Sequence, residues 1–268
     1  METHILSATH QLVSLVGVTQ KQYLAELRTS PLEAIEFIST DTLIGIGKWV
    51  SVPASSDLES LGNDMDWLTT QAIAHDQLLC TLSELGTVIP IKLGAFFSSK
   101  EALYQELQDQ QDRFHKQLAF LENQEEWSLK AHIDPSADIP DGAAFPELAA
   151  IEQQLAHASK GMAYLLQKKY QKQKTQLFRN KQIEMIQQLI DRIQQFSTAM
   201  TTINPQRTDK KMLLHQAILL LTPNRELFLQ TINDMVAALK LMGIELIVHG
   251  PLPSYHFVDH YETDNTAS

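Results

Sequence analysis

Few residues in this chain have the type and spacing to do chemistry. Leu68, Ala72, His75, Leu79 and Leu82 follow the 4-3-4-3 spacing of one helical face. His75 therefore interrupts an apolar stripe. A metal ligand or a general base would need a second group at ligand spacing, and no other His or Cys supplies one. The expectation is a core histidine hydrogen-bonded to a neighbour. His256 and His260 have the i, i+4 spacing of a zinc-binding helix, but Pro251 and Pro253 favour extended chain there and no glutamate follows the first histidine. No metal is expected. Cys80 is the single cysteine, so no intramolecular disulfide can form, and with no basic neighbour in sequence it reads as an inert thiol.

Other signatures are missing. There is no Walker lysine loop, no dinucleotide-binding glycine fingerprint, no Gly-x-Ser-x-Gly elbow and no Cys-x-x-Cys. Carboxylates are plentiful, yet no pair stands out. No catalytic residue and no cofactor is expected. A chain of this kind without a recognisable site is more often a binding or structural protein than an enzyme. One basic cluster does stand out: Lys160, Lys168, Lys169, Lys172, Lys174, Arg179 and Lys181, with no acid between Gly161 and Ile183. Lys168, Lys169, Lys172 and Lys174 are the candidate partner-binding residues, as a surface for an acidic partner. The plainer reading is a solvated helix face.

The totals set bounds. A length of 268 residues allows one large or two small domains, and 44% hydrophobic with 20% charged residues is ordinary for a soluble globular protein. A formal net charge of −11 argues against general nucleic-acid binding, which needs a basic surface. No apolar run is long enough to span a bilayer, and residues 1–10 lack the plan of a secretory signal. With one cysteine, the cytoplasm is the expected setting.

The elements follow from pattern and punctuation. His4 to Val18 could be strand or helix. Ser30-Pro31 breaks the chain, Leu43 to Val52 reads as a strand with Gly45 and Gly47 allowing a bulge or close packing, and Pro53 to Gly62 as a loop. A helix is expected over about 64–85, capped by Asn63 or Asp64. Gly86 should close it, Thr87 to Leu93 should form a strand with Pro90 at an edge or bulge, and Ser98 with Glu101 should start the next helix. That helix, about 99–122, carries Leu103, Leu107, Phe114, Leu118 and Leu121 as its stripe. Trp127, Leu129 and Ala131 alternate with Ser128, Lys130 and His132, as in a half-buried strand. Asp134 to Phe145 is a loop.

Beyond that loop, Leu148, Ile151 and Leu155 open a helical pattern that Gly161 could interrupt, and helix is expected from Met162 to about Met200, a span that as one helix exceeds a small domain and so either projects or is broken. Met212 to Leu221 is apolar on both parities, the mark of a strand covered on both faces. Thr222-Pro223 caps a helix carrying Phe228, Ile232, Met235, Leu239 and Met242, and Gly243 ends it. Ile244 to Val248 is a strand, Gly250 to Tyr255 a rigid turn, and the chain from about Glu262 a polar tail. The fold class is α+β.

Several segments, in order, resemble the GvpF/GvpL family of gas vesicle proteins. They are His75-Asp76-Gln77-Leu78-Leu79, Thr87 to Gly94, Glu126-Trp127-Ser128-Leu129-Lys130, Lys160 to Leu165, Leu219-Leu220-Leu221 and Gly250 to Phe257. The likeness is to a divergent member. Lys92-Leu93-Gly94 stands where the family commonly has Arg-Phe-Gly, Leu252 and Ser254 replace an aromatic and a proline, and the usual Tyr-Gly opening strand is not recognisable. The resemblance implies two α+β domains, over 1–122 and 123–262, with a tail over 263–268. The second would be a modified ferredoxin-like fold with a long helical segment around 146–200.

It also implies a non-enzymatic accessory or structural role in gas vesicle assembly, in the cytoplasm and at the vesicle. The implied partners are the small hydrophobic shell protein and other vesicle accessory proteins, with no nucleic acid and no membrane. The competing expectation is a ferredoxin-like small-molecule-binding regulatory module, suggested by the strand-helix-strand units and the Gly-Pro turn. A single-stranded RNA binder would need aromatics on central strands, which the strands from Met212 and Ile244 lack.

Overall fold

The computed structural model describes residues 9–29, 35–53, 64–134, 137, 139, 145–204 and 212–258. The break at Ser30-Pro31, residues 54–62 of the expected loop, most of the 134–145 loop, Pro205, His260 and the polar tail lie outside the described residues. The chain clusters into two compact units, Met1–Glu126 with Pro251–Ser268, and Trp127–Gly250. Both mix helix and sheet.

In the first unit the described part of the ambiguous opening segment is a strand, β1 (Thr9–Gln20), while residues 4–8 lie outside the described residues. The short helix α1 (Leu24–Thr29) follows, then β2 (Ile35–Ser39) and β3 (Leu43–Pro53). The sheet order is β2-β3-β1-β4, where β4 is Val88–Pro90, and β5 (Phe96–Phe97) also pairs with β1. β1 and β3 run antiparallel from Thr9 opposite Pro53 to Gln20 opposite Leu43, with a register irregularity between Leu15 and Gly17. Gly45 and Gly47 serve close packing: a Cβ on Gly45 would lie 2.8 Å from Leu107 Cδ1, and one on Gly47 2.7 Å from Val13 Cγ1. The bulge sits across from them, on β1.

Helix α2 (Met65–Leu85) is capped by Asp64, whose Oδ1 accepts from the backbone N–H groups of Asp66 and Trp67 at 3.1 and 3.0 Å. His75, Leu79 and Leu82 are buried as the spacing requires, and Leu68 is half-buried, but Ala72 is exposed and Gln71 takes its place on the inner side. Gly86 does not close the helix in the left-handed way. Its backbone is extended, and its missing side chain makes room for the Tyr23 ring, which a Cβ would meet at 2.8 Å. The expected strand Thr87–Leu93 contracts to Val88–Pro90, with Pro90 on an outermost strand.

The helix after it starts one residue later than Ser98 suggests. Ser99 is the N-cap, its Oγ accepting from Ala102 N–H at 3.1 Å. The single helix expected over 99–122 is two, α3 (Lys100–Asp109) and α4 (Gln111–Leu121), parted at the Gln110-Gln111 gap, where Gln110 leaves helical geometry with φ −98° and ψ 10°. All five stripe residues are buried.

The second unit runs strand, helices, strand, strand, helix, strand. β6 (Gln124–Ile133) is followed by a turn at Pro146–Leu148 and by α5 (Ala149–Ala156) and α6 (Lys160–Gln194). Then come β7 (Ser197–Thr202), β8 (Met212–Leu221), α7 (Arg225–Leu241) and β9 (Ile244–Leu252). The sheet order is β7-β8-β6-β9. The break between α5 and α6 falls at His157 to Ser159; Gly161 lies inside the first turn of α6. At 35 residues, α6 is ~52 Å long at about 1.5 Å per residue.

The helix expected to reach Met200 stops at Gln194, and β7 takes the rest. Its three threonines are stiff at χ1 and suit a strand. β7 pairs antiparallel with β8, from Ser197 opposite Leu220 to Thr202 opposite Gln216.

The main apolar core of this unit lies between its sheet and its helices, and Phe145, Leu148 and Phe178 form a second, smaller cluster. Trp127, Leu129 and Ala131 of β6 meet Ile218 and Leu220 of β8, with Ile186, Leu189 and Ile193 from α6 and Phe228, Ile232, Met235 and Leu239 from α7. The Trp127 and Phe228 rings are 5.3 Å apart between centroids and tilted by 54°. Ala217 to Leu220 have no exposed surface, so that stretch of β8 is covered on both faces, whereas Met212 to Gln216 are only half-buried and Leu221 is exposed, so the covering expected over Met212 to Leu221 is confined to four residues. Gly243 ends α7 in the left-handed region, φ 65°, with its N–H on Lys240 O at 2.9 Å.

Phe228→Ala is expected to lower the unfolding free energy by ~3–5 kcal/mol, through lost transfer energy and an unfilled cavity. Exposed Tyr164→Ala should change it by no more than ~0.5 kcal/mol. Urea denaturation curves of the two variants check this; equal shifts would remove Phe228 from the core.

Candidate functional site

The described residues hold two places where functional side chains gather. The first is built by the end of the chain. After β9, Pro253 and Ser254 are buried, and Tyr255, His256 and Phe257 turn back over the first unit. Glu126, at the start of β6, has no exposed surface. A carboxylate taken that far from water needs hydrogen bonds on both oxygens. His256 provides them: its backbone N–H donates to Oε2 at 3.0 Å and its ring Nδ1 lies 2.5 Å from Oε1. Next to it, Tyr255 OH donates to Asp76 Oδ1 at 2.8 Å. Tyr255 also packs against the core formed by Ile44, Ile46, Leu79 and Leu82.

Each titrating group responds to its surroundings. The hydrogen bond that the ring donates to Glu126 raises the His256 imidazole above its ordinary value, against the opposing effect of burial. Burial, then the bond to Asp76, pushes the Tyr255 phenol well up, so it stays a donor. His75 moves the other way, because burial disfavours its charged form. A neutral ring then donates from Nε2 to the Ile91 carbonyl at 2.7 Å. His75 is the core histidine its spacing suggests. The Cys80 thiol is pushed up by burial, then by Asp76 and Glu84, which makes it a poor nucleophile.

Among the described residues no cluster of three His, Cys, Asp or Glu side chains could hold a metal ion. His256 follows β9 in a turn rather than on a helix, and it is engaged by Glu126. The Glu126–His256 pair is arranged to fix the chain, since neither carboxylate oxygen is free to meet a substrate. Sequence reading missed Glu126. The alternation around Trp127 sets it on the face away from the core, but nothing local indicates a partner 130 residues away.

The second place is the first half of α6. Lys168, Lys169 and Lys172 are exposed, and three- and four-residue spacing sets them on one face with Leu165. Lys174 falls on the other side of the helix and is half-buried, so it does not join them. Met162 and Leu165 are 54% and 61% exposed, and Lys168 Nζ lies 4.7 Å from the Tyr164 ring centroid. The surface thus combines three cations with exposed apolar side chains. Lys181, further along, is paired with Glu184 at 2.9 Å.

The latch at Glu126 has a pH signature. A histidine whose folded value is raised adds stability in full below its unfolded value, about 6.5, and loses it as pH rises through the folded value. The melting temperature of the wild type should therefore fall, relative to His256→Ala, as pH rises above about 6.5. At pH ~6 the variant should be less stable by on the order of 2–3 kcal/mol, because the backbone N–H still serves Oε2 but the buried Oε1 of Glu126 loses the ring that partners it. Parallel pH profiles of the two proteins would sink this reading.

Comparison with known proteins follows the same outline. A family model described as "Gas vesicle synthesis protein GvpL/GvpF" matches residues 19–259. Gas vesicle protein L of Streptomyces sp. (strain CB03234) is 28% identical over 102 residues, 38% of this chain. That stretch spans 37% of the relative's own length. The crystal structure of gas vesicle protein GvpF from Anabaena sp. PCC7120 aligns with a TM-score of 0.58 at 14% identity, over 94% of this chain and 100% of the other. The GvpF crystal structure from Microcystis aeruginosa gives 0.53 at 15%, over 92% and 98%. At such identities the two structures establish the shared α+β fold. Among the described residues no helix is long and apolar enough to cross a membrane. The match from residue 19 to 259 takes in β3, α2, the latch at Glu126 and His256, and the whole second unit: this chain belongs to the gas vesicle GvpL/GvpF family.

Proposed function

We propose that this protein is a non-enzymatic accessory protein of gas vesicle assembly, working in the cytoplasm and at the growing vesicle. It holds the small hydrophobic shell protein before assembly and meets other accessory proteins. The observation that carries this is the family match across residues 19–259. The physical need is plain: small apolar monomers aggregate unless their surface is covered until they join a wall. The Lys168, Lys169 and Lys172 face of α6 takes an acidic accessory partner, with Met162 and Leu165 as apolar anchors beside the charges.

The two compact units are read as two domains, the second a modified ferredoxin-like fold with α5 and the first part of α6 as its elaboration. Its β-α-β-β-α-β connectivity and its strand order β7-β8-β6-β9 support that reading.

Co-expression with the shell protein in a host without vesicles tests the function. The shell protein should stay soluble and co-purify with this chain, and precipitate when expressed alone. Lys168→Glu, Lys169→Glu and Lys172→Glu combined should cut recovery of acidic accessory partners about tenfold at ~0.15 M salt, with a weaker effect on the shell protein. A shell protein that precipitates equally with and without this chain would overturn the role.

A further inference from the structure

The inner face of α2 is not apolar throughout. Near its start, Trp67 packs with Leu12 and Phe96 against Val50. Towards its end, Leu79 and Leu82 pack with Val16 and Ile46. Between these two apolar clusters the spacing of four continues with Gln71 and His75. The strands opposite match them. Ser14 of β1 lies across from Lys48 of β3 in the antiparallel ladder. Ser14, Lys48, Gln71 and His75 line one small cavity of about 10 Å³, walled by Val16 and Val50. A polar layer thus crosses the seam between helix and sheet.

Two groups in that layer have hydrogen-bonding capacity left over. Ser14 is 2% exposed, and its Oγ has no hydrogen-bond partner among the described residues. A buried hydroxyl in that state costs as much as a lost hydrogen bond. His75 is the other group. Its Nε2 donates to the Ile91 carbonyl, so Nδ1 of the neutral ring carries a lone pair, and among the described residues no hydrogen bond reaches it. Ser14 has a proton to give and His75 a lone pair to fill, yet the two do not bond to each other. Whatever joins them must both accept and donate. An anion beside Lys48 would accept from Ser14 but would face the His75 lone pair. A cavity of about 10 Å³ has room for about one water.

We infer that this cavity is the binding site of one internal water, which accepts from the Ser14 hydroxyl, donates to His75 Nδ1 and completes its hydrogen bonds with Gln71 and Lys48. The site lies wholly within the first unit and does not depend on the function proposed above. Its effect falls on α2. With the polar groups of helix and sheet joined through water, α2 docks in the register that sets Gln71 and His75 over Ser14 and Lys48. A slide of one turn would set those groups against apolar side chains without partners. α2 in turn presents Asp76, the acceptor for Tyr255 OH.

High-resolution diffraction from crystals of the wild-type protein, grown with sodium bromide in place of chloride, tests it. A density peak should lie roughly 2.5–3.2 Å from both Ser14 Oγ and His75 Nδ1, with no anomalous bromide signal. Ser14→Ala should lower the melting temperature by roughly 2–4 °C, since it removes a hydroxyl that is hydrogen-bonded. Bromide at that position would make this an anion site and overturn the water; so would the absence of any peak. A higher melting temperature for Ser14→Ala would overturn it as well, because deleting a buried hydroxyl with no partner relieves a penalty. Should Ser14→Ala not fold, the wild-type crystals decide alone.

Discussion

A carboxylate with no exposed surface must find hydrogen bonds inside the protein, and Glu126 finds both of its own on one residue, His256. That requirement shapes how the chain is laid out. The chain leaves the first compact unit at Glu126, builds the whole second unit from Trp127 to Gly250, and comes back at Pro251. The contact joins the start of β6 to the turn after β9, both within the first compact unit. Tyr255 adds a second tie to Asp76, beside the buried His75 that holds the Ile91 carbonyl. A short stretch of polar contacts thus ties the returning chain into the first unit.

Most of the scaffold could be read from spacing. The stripes on α3, α4 and α7, the core side of the strand around Trp127 and the double-sided burial of Ala217 to Leu220, within the longer Met212 to Leu221 run, are local patterns, and local patterns survive without knowledge of the fold. The misreadings came where two local rules competed. Residues 195–202 carry no proline or glycine, so the helical run seemed to continue, yet three threonines gave the segment to β7 once β8 offered a partner. Ser98 and Ser99 are both able to cap, and the one whose Oγ reaches the Ala102 amide won. Gly86 looked like a helix stop and is instead a gap for the Tyr23 ring.

The candidate site was legible only in part. A run of lysines without acids is visible in any sequence, but its faces are not: Lys174 lies on the half-buried side of α6 while Lys168, Lys169 and Lys172 share the exposed one. Glu126 and His256 could not be paired from sequence, because a contact across 130 residues leaves no local trace. The strand order is equally silent: spacing tells which side of a strand is covered, but not that β9 lies beside β6 and β7 beside β8.

The surface proposed on α6 has limits set by physics. Lysines on a solvated helix would attract an acidic partner over roughly a Debye length, about 8 Å at physiological salt, and would lose much of that pull as salt rises. Charges of this kind would speed encounter and sort partners by sign. They would not by themselves keep an apolar monomer out of water, because exposed charges leave its apolar surface uncovered; Met162 and Leu165, 54% and 61% exposed beside them, are the side chains on α6 that could cover part of it.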